Sequence, residues 1–378
     1  MYKILMTGMS PVLAGTETFI MNYYRHLNPQ KIQIDFIKRT KEPIIFEEEI
    51  LARGSKVYYL PRKGKTISAY QNYKRALTSF FDKHAKDYDA VWYNAMGIPN
   101  IDLLVYAQKY GIKERIIHSH SSQWKGNFAR LVFHTINKKR IKKIATRFFA
   151  CSDLAARYMY TGSALEKSRI IQNAIEFKNF AFSASARENL RKSLGWQQNK
   201  IIGNVGRLDI QKNQPFLIDV FNKALELDDS LRLVIIGKTS GTNSTEELIK
   251  QKIKDYDIAD KVLMAGSQSD MKTWLSALDL FVLPSLFEGL PLSAVEAQAN
   301  GLPVLASDTI TKELKILDSL NYLSLDEEPA VWAQTMIDML KLDRSNTVQI
   351  KPLFEEKGFD ISSQAKDIES LLLGEEVE

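Results

Sequence analysis

"KIIGNVG", residues 200–206, is an apolar run closed by a glycine, and its surroundings decide the fold. It has the length of a strand and ends on a residue that permits a tight exit. Downstream, "LRLVIIG" (231–237), "KVLMAG" (261–266), "LFVLPS" (280–285) and "LPVLAS" (302–307) repeat the pattern with helix-length stretches between them. Upstream, "KILMTG" (3–8), "QIDFI" (33–37), "KVYYL" (56–60), "DAVWYN" (89–94), "RIIHSH" (115–120) and "RFFACS" (147–152) keep the same beat, the first followed by the helical "TFIMNYYRHL" (18–27). Strands alternating with helices predict parallel sheets covered on both faces. The beat breaks at the polar "AFSASARENLRKSLGWQQNK" (181–200), which reads as a linker. The chain is therefore expected to be α/β, with two doubly wound, Rossmann-like domains, 1–180 and 198–359. Its 378 residues, 45% of them hydrophobic, suffice for two cores.

Composition excludes several classes. No run of eighteen apolar residues occurs and "MYKILMTGMS" carries no cleavage site, so neither a membrane span nor a signal peptide is expected. The single cysteine, Cys151, has no partner for an intramolecular disulfide and reads as core in a cytoplasmic protein. The net charge of +6 conceals an asymmetry: 30 basic against 14 acidic residues over 1–180, and 21 against 31 over 181–378. A basic half suits nucleic acid, anionic lipid or a phosphorylated substrate, and equally a lysine-rich solvated surface.

In open α/β sheets ligands bind beyond the carboxyl ends of strands, where turns and helix N-termini offer backbone N–H groups. The domains are accordingly expected to face each other across a cleft. Beyond "LFVLPS" the chain continues as "PSLFEGLPLSAVEAQANGLPV" (284–304). In a helix starting after Pro291, Leu292, Val295 and Ala299 share one face and Glu296 points only about 40° from Leu292. A carboxylate in an apolar stripe is costly unless it is bonded, so Glu296 is either half of a structural ion pair or the acceptor of vicinal hydroxyls such as those of a ribose. Glu288 precedes a Gly-Leu-Pro turn whose backbone can hold an anion. In "GNVGRLDIQKNQP" (203–215), Arg207 offers a fork of donors and Lys212 a point charge, together suited to a diphosphate. Neither GxGxxG nor GxxxxGK[ST] is satisfied, so hydride transfer and P-loop hydrolysis lose support.

"GRLDIQKNQ" (206–214) followed by "PSLFEGLPLSAVEAQANGLPV" closely resembles the donor-sugar domain of glycosyltransferase family 4, retaining enzymes of the two-domain GT-B fold, notably those building bacterial capsule and exopolysaccharide. The family's Glu-x₇-Glu pattern is met by Glu288 and Glu296. The resemblance implies transfer of a sugar from a nucleotide donor, UDP-linked on this reading, to a glycan acceptor held by the basic first domain. It implies that Arg207 and Lys212 stabilise the leaving diphosphate, that Glu288 with the backbone of Gly289 and Leu290 positions the sugar, and that Glu296 grips the ribose. It also implies that the last helix, near "ISSQAKDIESLLL" (361–373), returns to the first domain.

In the first domain, "TGMSPVLAGTET" (7–18) links the first strand to a helix, with Gly15 at the turn and Thr16 as an expected N-cap. The family usually has two glycines here to let backbone approach the donor phosphates; Ala14 replaces the first and Gly15 matches the second. "RIIHSHSSQ" (115–123) puts His118 and His120 on one side of a strand. The resemblance assigns the sugar contact to His120, at the exit, and leaves His118 in the core.

Two "DYD" strings, 87–89 and 255–257, precede strands instead of ending them and read as solvated loops, so no metal and no cofactor are expected. HExxH and G-x-S-x-G are missing, which removes metalloprotease and serine hydrolase readings. The segment 123–148 joins Trp124, Phe128, Leu131, Val132 and Phe133 to Lys138, Lys139, Arg140, Lys142 and Lys143. That combination suits an anionic membrane surface, hence a lipid-linked acceptor and a peripheral position at the inner face of the membrane, and it suits a core helix with a basic edge as well. No nucleic-acid partner is expected. An epimerase on the same fold would need acid–base carboxylates in the first domain that the sequence does not display. A catalytically inert partner subunit is the remaining alternative, against which the four charged residues of the second domain argue.

Overall fold

The computed structural model describes residues 1–60, 64, 66–123, 127–239 and 245–375. It divides into two units, Met1–Ala174 with Ile361–Glu378, and Ile175–Asp360.

In the first unit β1 (Tyr2–Thr7), β2 (Ile32–Lys38), β3 (Val57–Tyr59), β4 (Ala90–Ala95), β5 (Glu114–Ser119), β6 (Arg147–Ala150) and β7 (Ser168–Ile170) form one sheet in the order β3-β2-β1-β4-β5-β6-β7. All its pairings are parallel. Ile4, Met6, Trp92, Ile116 and Phe149 lie at its core, as expected of strands covered on both faces. The helix Ile361–Leu373 inserts Ile361, Ala365, Ile368 and Leu372, spaced for one helical face, into that core.

In the second unit β8 (Ile201–Val205), β9 (Arg232–Ile236), β10 (Val262–Gly266), β11 (Leu280–Leu283), β12 (Val304–Ser307) and β13 (Leu320–Leu323) pair in the order β10-β9-β8-β11-β12-β13, again all parallel. Each sheet reverses its winding direction beside its first strand, between β1 and β4 and between β8 and β11. Such switch points leave a crevice at the carboxyl ends of the strands, because the two connecting helices depart to opposite faces.

The stretch 181–200 is not a linker. Ser183 caps a helix, Ala184–Leu194, and Gly195 ends it in the left-handed conformation. Its polar composition hides two inward arginines: Arg187 and Arg191 lie 2.6 and 3.2 Å from the Asp279 carboxylate and donate to the carbonyls that end the helix Met271–Ala277. The chain passes from one unit to the other at residues 174/175 and 360/361. The short edge strands β7 and β13 have no counterpart among the expectations drawn from sequence.

Candidate active site

The second unit's site is built from the loops leaving β8 and β11. After β8, the Gly206 N–H still donates to Ile236 O (2.9 Å), so the strand pairing runs to the loop. The Asp209 carboxylate accepts from Gln211 N (2.8 Å) and opens a short 3₁₀ turn, Ile210–Lys212, which ends at Asn213 with φ 55°. That turn sends the Lys212 side chain back across Gly206. A Cβ on Gly206 would stand 2.8 Å from Lys212 Cε, closer than such atoms approach. Lys212 Nζ lies 2.7 Å from Glu288 Oε1, in the loop after β11, with both side chains largely buried.

Gln211 locks the two loops together. Its carbonyl accepts from Leu286 N (2.8 Å), and its Nε2 donates to Phe287 O (2.7 Å) and Glu288 Oε2 (3.2 Å). Arg207 is 38% exposed and 3.5 Å from Asp209 Oδ2, while its backbone carbonyl accepts from the buried Gln214 (2.9 Å). The guanidinium is thus partly exposed beside Asp209, while the backbone behind it is held by Gln214.

Gly289 and Leu290 are buried, and Pro291 begins the helix Leu292–Ala299 without a capping side chain. One turn in, Glu296 retains some solvent-accessible surface, whereas Leu292, Val295 and Ala299 are buried. The helical stripe is as expected, but the carboxylate sits at its edge. Burial pushes the Glu296 carboxyl up to about 7, with Lys212 pulling it down. None of the described residues hydrogen-bonds or ion-pairs with that carboxylate; the nearby lysine bonds to Glu288 instead. Gln298 anchors the helix, donating to Leu314 O (2.9 Å) and accepting from Ile316 N and Leu317 N (3.0 Å each).

The first unit holds Gly15 and His120. Gly15 opens the helix Gly15–His26, and a Cβ there would meet nothing within 4 Å. Thr16 is not the N-cap: Ala14 occupies that position in extended conformation, and Thr16 lies inside the helix with its hydroxyl 3.6 Å from Met96 Sδ. Alanine has no side-chain acceptor, so no side chain caps this helix start. His120 is 8% exposed, its Nε2 2.8 Å from Asn94 Oδ1, and burial lowers its pKa to about 3. His118, fully buried, stacks on it at 4.2 Å between ring centroids and is held neutral by burial and by His120.

A family model, "Glycosyl transferases group 1", matches residues 186–351. EpsF of Bacillus subtilis, itself assigned as a glycosyltransferase, is 30% identical over 371 residues, 94% of this chain and 92% of that protein. The chain is a group 1 glycosyltransferase. Escherichia coli UDP-Gal:alpha-D-GlcNAc-diphosphoundecaprenol alpha-1,3-galactosyltransferase is 24% identical over 338 residues, covering 81% of this chain and 79% of that one. Among solved structures, Anabaena HepE in complex with UDP and glucose superposes with a TM-score of 0.80 at 18% identity, over 99% of this chain and 100% of that one. The glycosyltransferase thus has the GT-B fold, each of its two domains Rossmann-like.

Both DYD strings of the glycosyltransferase have structural partners. Asp89 Oδ2 accepts from Lys3 N (2.9 Å) and Asp87 lies 3.0 Å from His84. Asp255 accepts from Gln251 (2.7 Å), and the Tyr256 hydroxyl donates to Asp219 (2.7 Å). Of the aromatic-basic segment, Trp124 lies outside the described residues, and the helix Phe128–Ile141 carries the rest up to Arg140. It is not a core helix with a basic edge. Phe128, Val132, Phe133 and Ile136 are exposed, while His134 and Asn137 are buried against Ile98.

Arg207, Lys212, Glu288, Gly289, Leu290 and Glu296 are therefore gathered at one switch point, and Gly15 and His120 lie by the other. Gln211, Asn94 and Gly8 were not singled out from sequence, and Gly206 was read only as the end of a strand. Gln211 sits inside the motif "GRLDIQKNQ", and Gly206 and Gly8 each close a strand, so position carried a signal; Asn94 closes "DAVWYN" with nothing to mark it.

Proposed function

We propose that the enzyme transfers a sugar from a UDP-linked donor, with retention at the anomeric carbon, onto a lipid-linked glycan in the biosynthesis of a cell-surface polysaccharide such as capsule or exopolysaccharide. The observation that carries this reading is Glu296, a carboxylate held one turn inside an uncapped helix, near a lysine yet bonded to no described side chain. Such a group is spent on a ligand, and paired ribose hydroxyls supply the donors it lacks. The helix start and Arg207 favour the diphosphate. Lys212 swings from Glu288 to the leaving phosphate as the C1–O bond breaks, which frees Glu288 to meet sugar hydroxyls beside Gly289 and Leu290. Gly15 allows the backbone of its helix start to approach the phosphates, and His120 meets the sugar. The acceptor oxygen attacks C1 from the face the phosphate leaves, and its proton passes to the departing phosphate oxygen. Arg207 and Lys212 supply the positive charge for this step, so turnover requires neither a divalent cation nor a cofactor.

The relatives lend support: the Escherichia coli enzyme is named for UDP-Gal and a diphosphoundecaprenol-linked acceptor, and HepE was crystallised with UDP and glucose. No helix among the described residues is long and apolar enough to cross a membrane. A lipid-linked acceptor would be met instead by peripheral docking on an anionic surface through the helix Phe128–Ile141. Incubation with a panel of nucleotide sugars tests the donor: slow release of UDP from one UDP-sugar, persisting in excess chelator, is expected. Interconversion of sugars would mean an epimerase, and binding without turnover an inert partner.

A further inference from the structure

One hydrogen-bonded chain in the first unit determines which nitrogen of His120 carries its proton. Asn94 is the penultimate residue of β4, next to the exit of β5, and its Nδ2 donates to Thr7 O, at the end of β1, over 2.9 Å. A peptide carbonyl can only accept, so the amide nitrogen must face Thr7 and the amide oxygen must face the other way. That oxygen, Oδ1, lies 2.8 Å from His120 Nε2. An amide oxygen also only accepts, so Nε2 must donate. In a neutral imidazole the other nitrogen, Nδ1, then holds a bare lone pair. No described residue bonds to Nδ1. The ring stays neutral because it is buried, and the stacked His118 is neutral as well.

The surroundings hold this arrangement in place. His120 N donates to Ala95 O (3.0 Å), which fixes the strand exit. Phe19 packs on both imidazoles, with ring centroids 4.7 Å from His118 and 4.9 Å from His120. Gly8, at φ +114°, passes so close that a Cβ there would stand 2.6 Å from Asn94 Cβ. Glycine is required at that point both by its dihedral and by the presence of Asn94.

We propose that Asn94 is a positioning residue that fixes His120 as the Nε2–H tautomer, so that Nδ1 recognises a hydroxyl of the transferred sugar by accepting its hydrogen bond. His120 is then an acceptor and not an acid. The tautomer stands on the Thr7–Asn94–His120 chain alone; the identity of the donor hydroxyl rests on the reading of the preceding section.

Long-range ¹H–¹⁵N NMR of the ring nitrogens tests the two parts separately, with His120 identified by the signals lost in His120→Gln. In the wild type at neutral pH, a protonated, pyrrole-like Nε2 and a bare, pyridine-like Nδ1 are expected. The reverse pattern, or rapid averaging, would overturn the assignment without any variant having to fold. Asn94→Leu, or the smaller Asn94→Ser if the first does not fold, should release the tautomer. Either should lower kcat/KM for the nucleotide sugar by roughly ten-fold or more, while affinity for UDP alone, which has no transferred sugar, stays unchanged. The expected tautomer together with unaltered kcat/KM would sink the assignment of Nδ1 to the sugar. UDP release by the wild type, which tests the transferase reading, is unaffected by either result.

Discussion

Lys212 Nζ and Glu288 Oε1 stand 2.7 Å apart, an ion pair between loops whose sequence positions differ by 76 residues. On the proposed mechanism this pair holds in reserve the positive charge for the leaving diphosphate. Removing one member leaves the other largely buried and uncompensated, which costs more than the pair itself contributes. Lys212→Ala is expected to lower turnover by roughly 10²–10³-fold and to lower Tm as well. Adding Glu288→Gln should recover much of the Tm, because the stranded charge is gone, and none of the turnover. Thermal denaturation and UDP release, measured on both variants, check this; a double mutant that regains activity would remove Lys212 from the chemistry.

Glu296 links pH to both stability and binding. Its carboxyl is raised from 4.5 to about 7 in the fold, chiefly by burial. Stability is therefore intact below about pH 4.5 and is lost as pH rises through about 7, because the native state must then hold an ionised carboxylate that the unfolded chain solvates better. Glu296→Gln should stabilise the fold at pH 8, by at most on the order of 3 kcal/mol, and change it little at pH 4.5. The same variant should bind UDP more weakly. In the wild type, affinity should rise with pH across about 7, and this excess should vanish in the variant. Calorimetry of both proteins at several pH values removes the titration of the nucleotide itself. Equal UDP affinity in the two would return Glu296 to a structural role.

Much of this site could be read from the chain because its parts are local. Strand exits, the glycine and proline that follow them, and the charged residues just beyond are sequence neighbours, so both switch-point loops were visible. What could not be read depends on distant partners. Gln211 meets the loop after β11, and Asn94 meets His120 and Thr7; nothing in a polar residue's own neighbourhood announces such a bond. The helix Ala184–Leu194 looked like a linker for the same reason, since the carboxylate that takes up Arg187 and Arg191 is Asp279. The edge strands β7 and β13 were missed because they span only three and four residues and are partly exposed, so they lack the continuous apolar run of the central strands.

Gly206 is expected to matter for chemistry more than for folding. Its backbone dihedral is not in the left-handed region, so alanine is tolerated by the chain. The new Cβ would nevertheless meet the aliphatic stem of Lys212 at 2.8–3.3 Å and push the ammonium off Glu288. Gly206→Ala should therefore remain folded, with Tm lowered by no more than in Lys212→Ala, and lose up to about 10²-fold in turnover through misplacement of one charge. Full activity with an unchanged Tm would show that Lys212 finds its position by another route.

The helix Phe128–Ile141 buries two polar residues beside Ile141 and leaves four large apolar ones exposed. His134 Nδ1 accepts from Ile98 N (3.1 Å) and Asn137 Nδ2 donates to Ile98 O (2.8 Å), so its polar side is consumed by the protein. Burial and the nearby Lys138 lower the His134 pKa to about 4, which keeps the ring able to accept that bond at neutral pH. The opposite side exposes Phe128 at 79% and Phe133 at 58%, beside Val132 and Ile136. Exposed Arg130, Lys139, Arg140, Lys142 and Lys143 surround or follow it. Apolar side chains ringed by cations fit the headgroup region of an anionic bilayer, each basic residue contributing about 1 kcal/mol near the surface and losing it beyond a Debye length of about 8 Å. Sedimentation with anionic vesicles should therefore show binding that weakens with salt, and neutral vesicles should bind poorly. Neutralising Lys138, Lys139, Lys142 and Lys143 should abolish the preference for anionic lipid, and Phe128→Ser with Phe133→Ser should weaken binding to both kinds. Turnover on a soluble acceptor analogue should stay unchanged in all of these variants. Equal binding to both lipids by the wild type would rule out the electrostatic part, and a dimer that dissociates in the Phe128/Phe133 variant would assign the apolar face to a second copy of the chain instead.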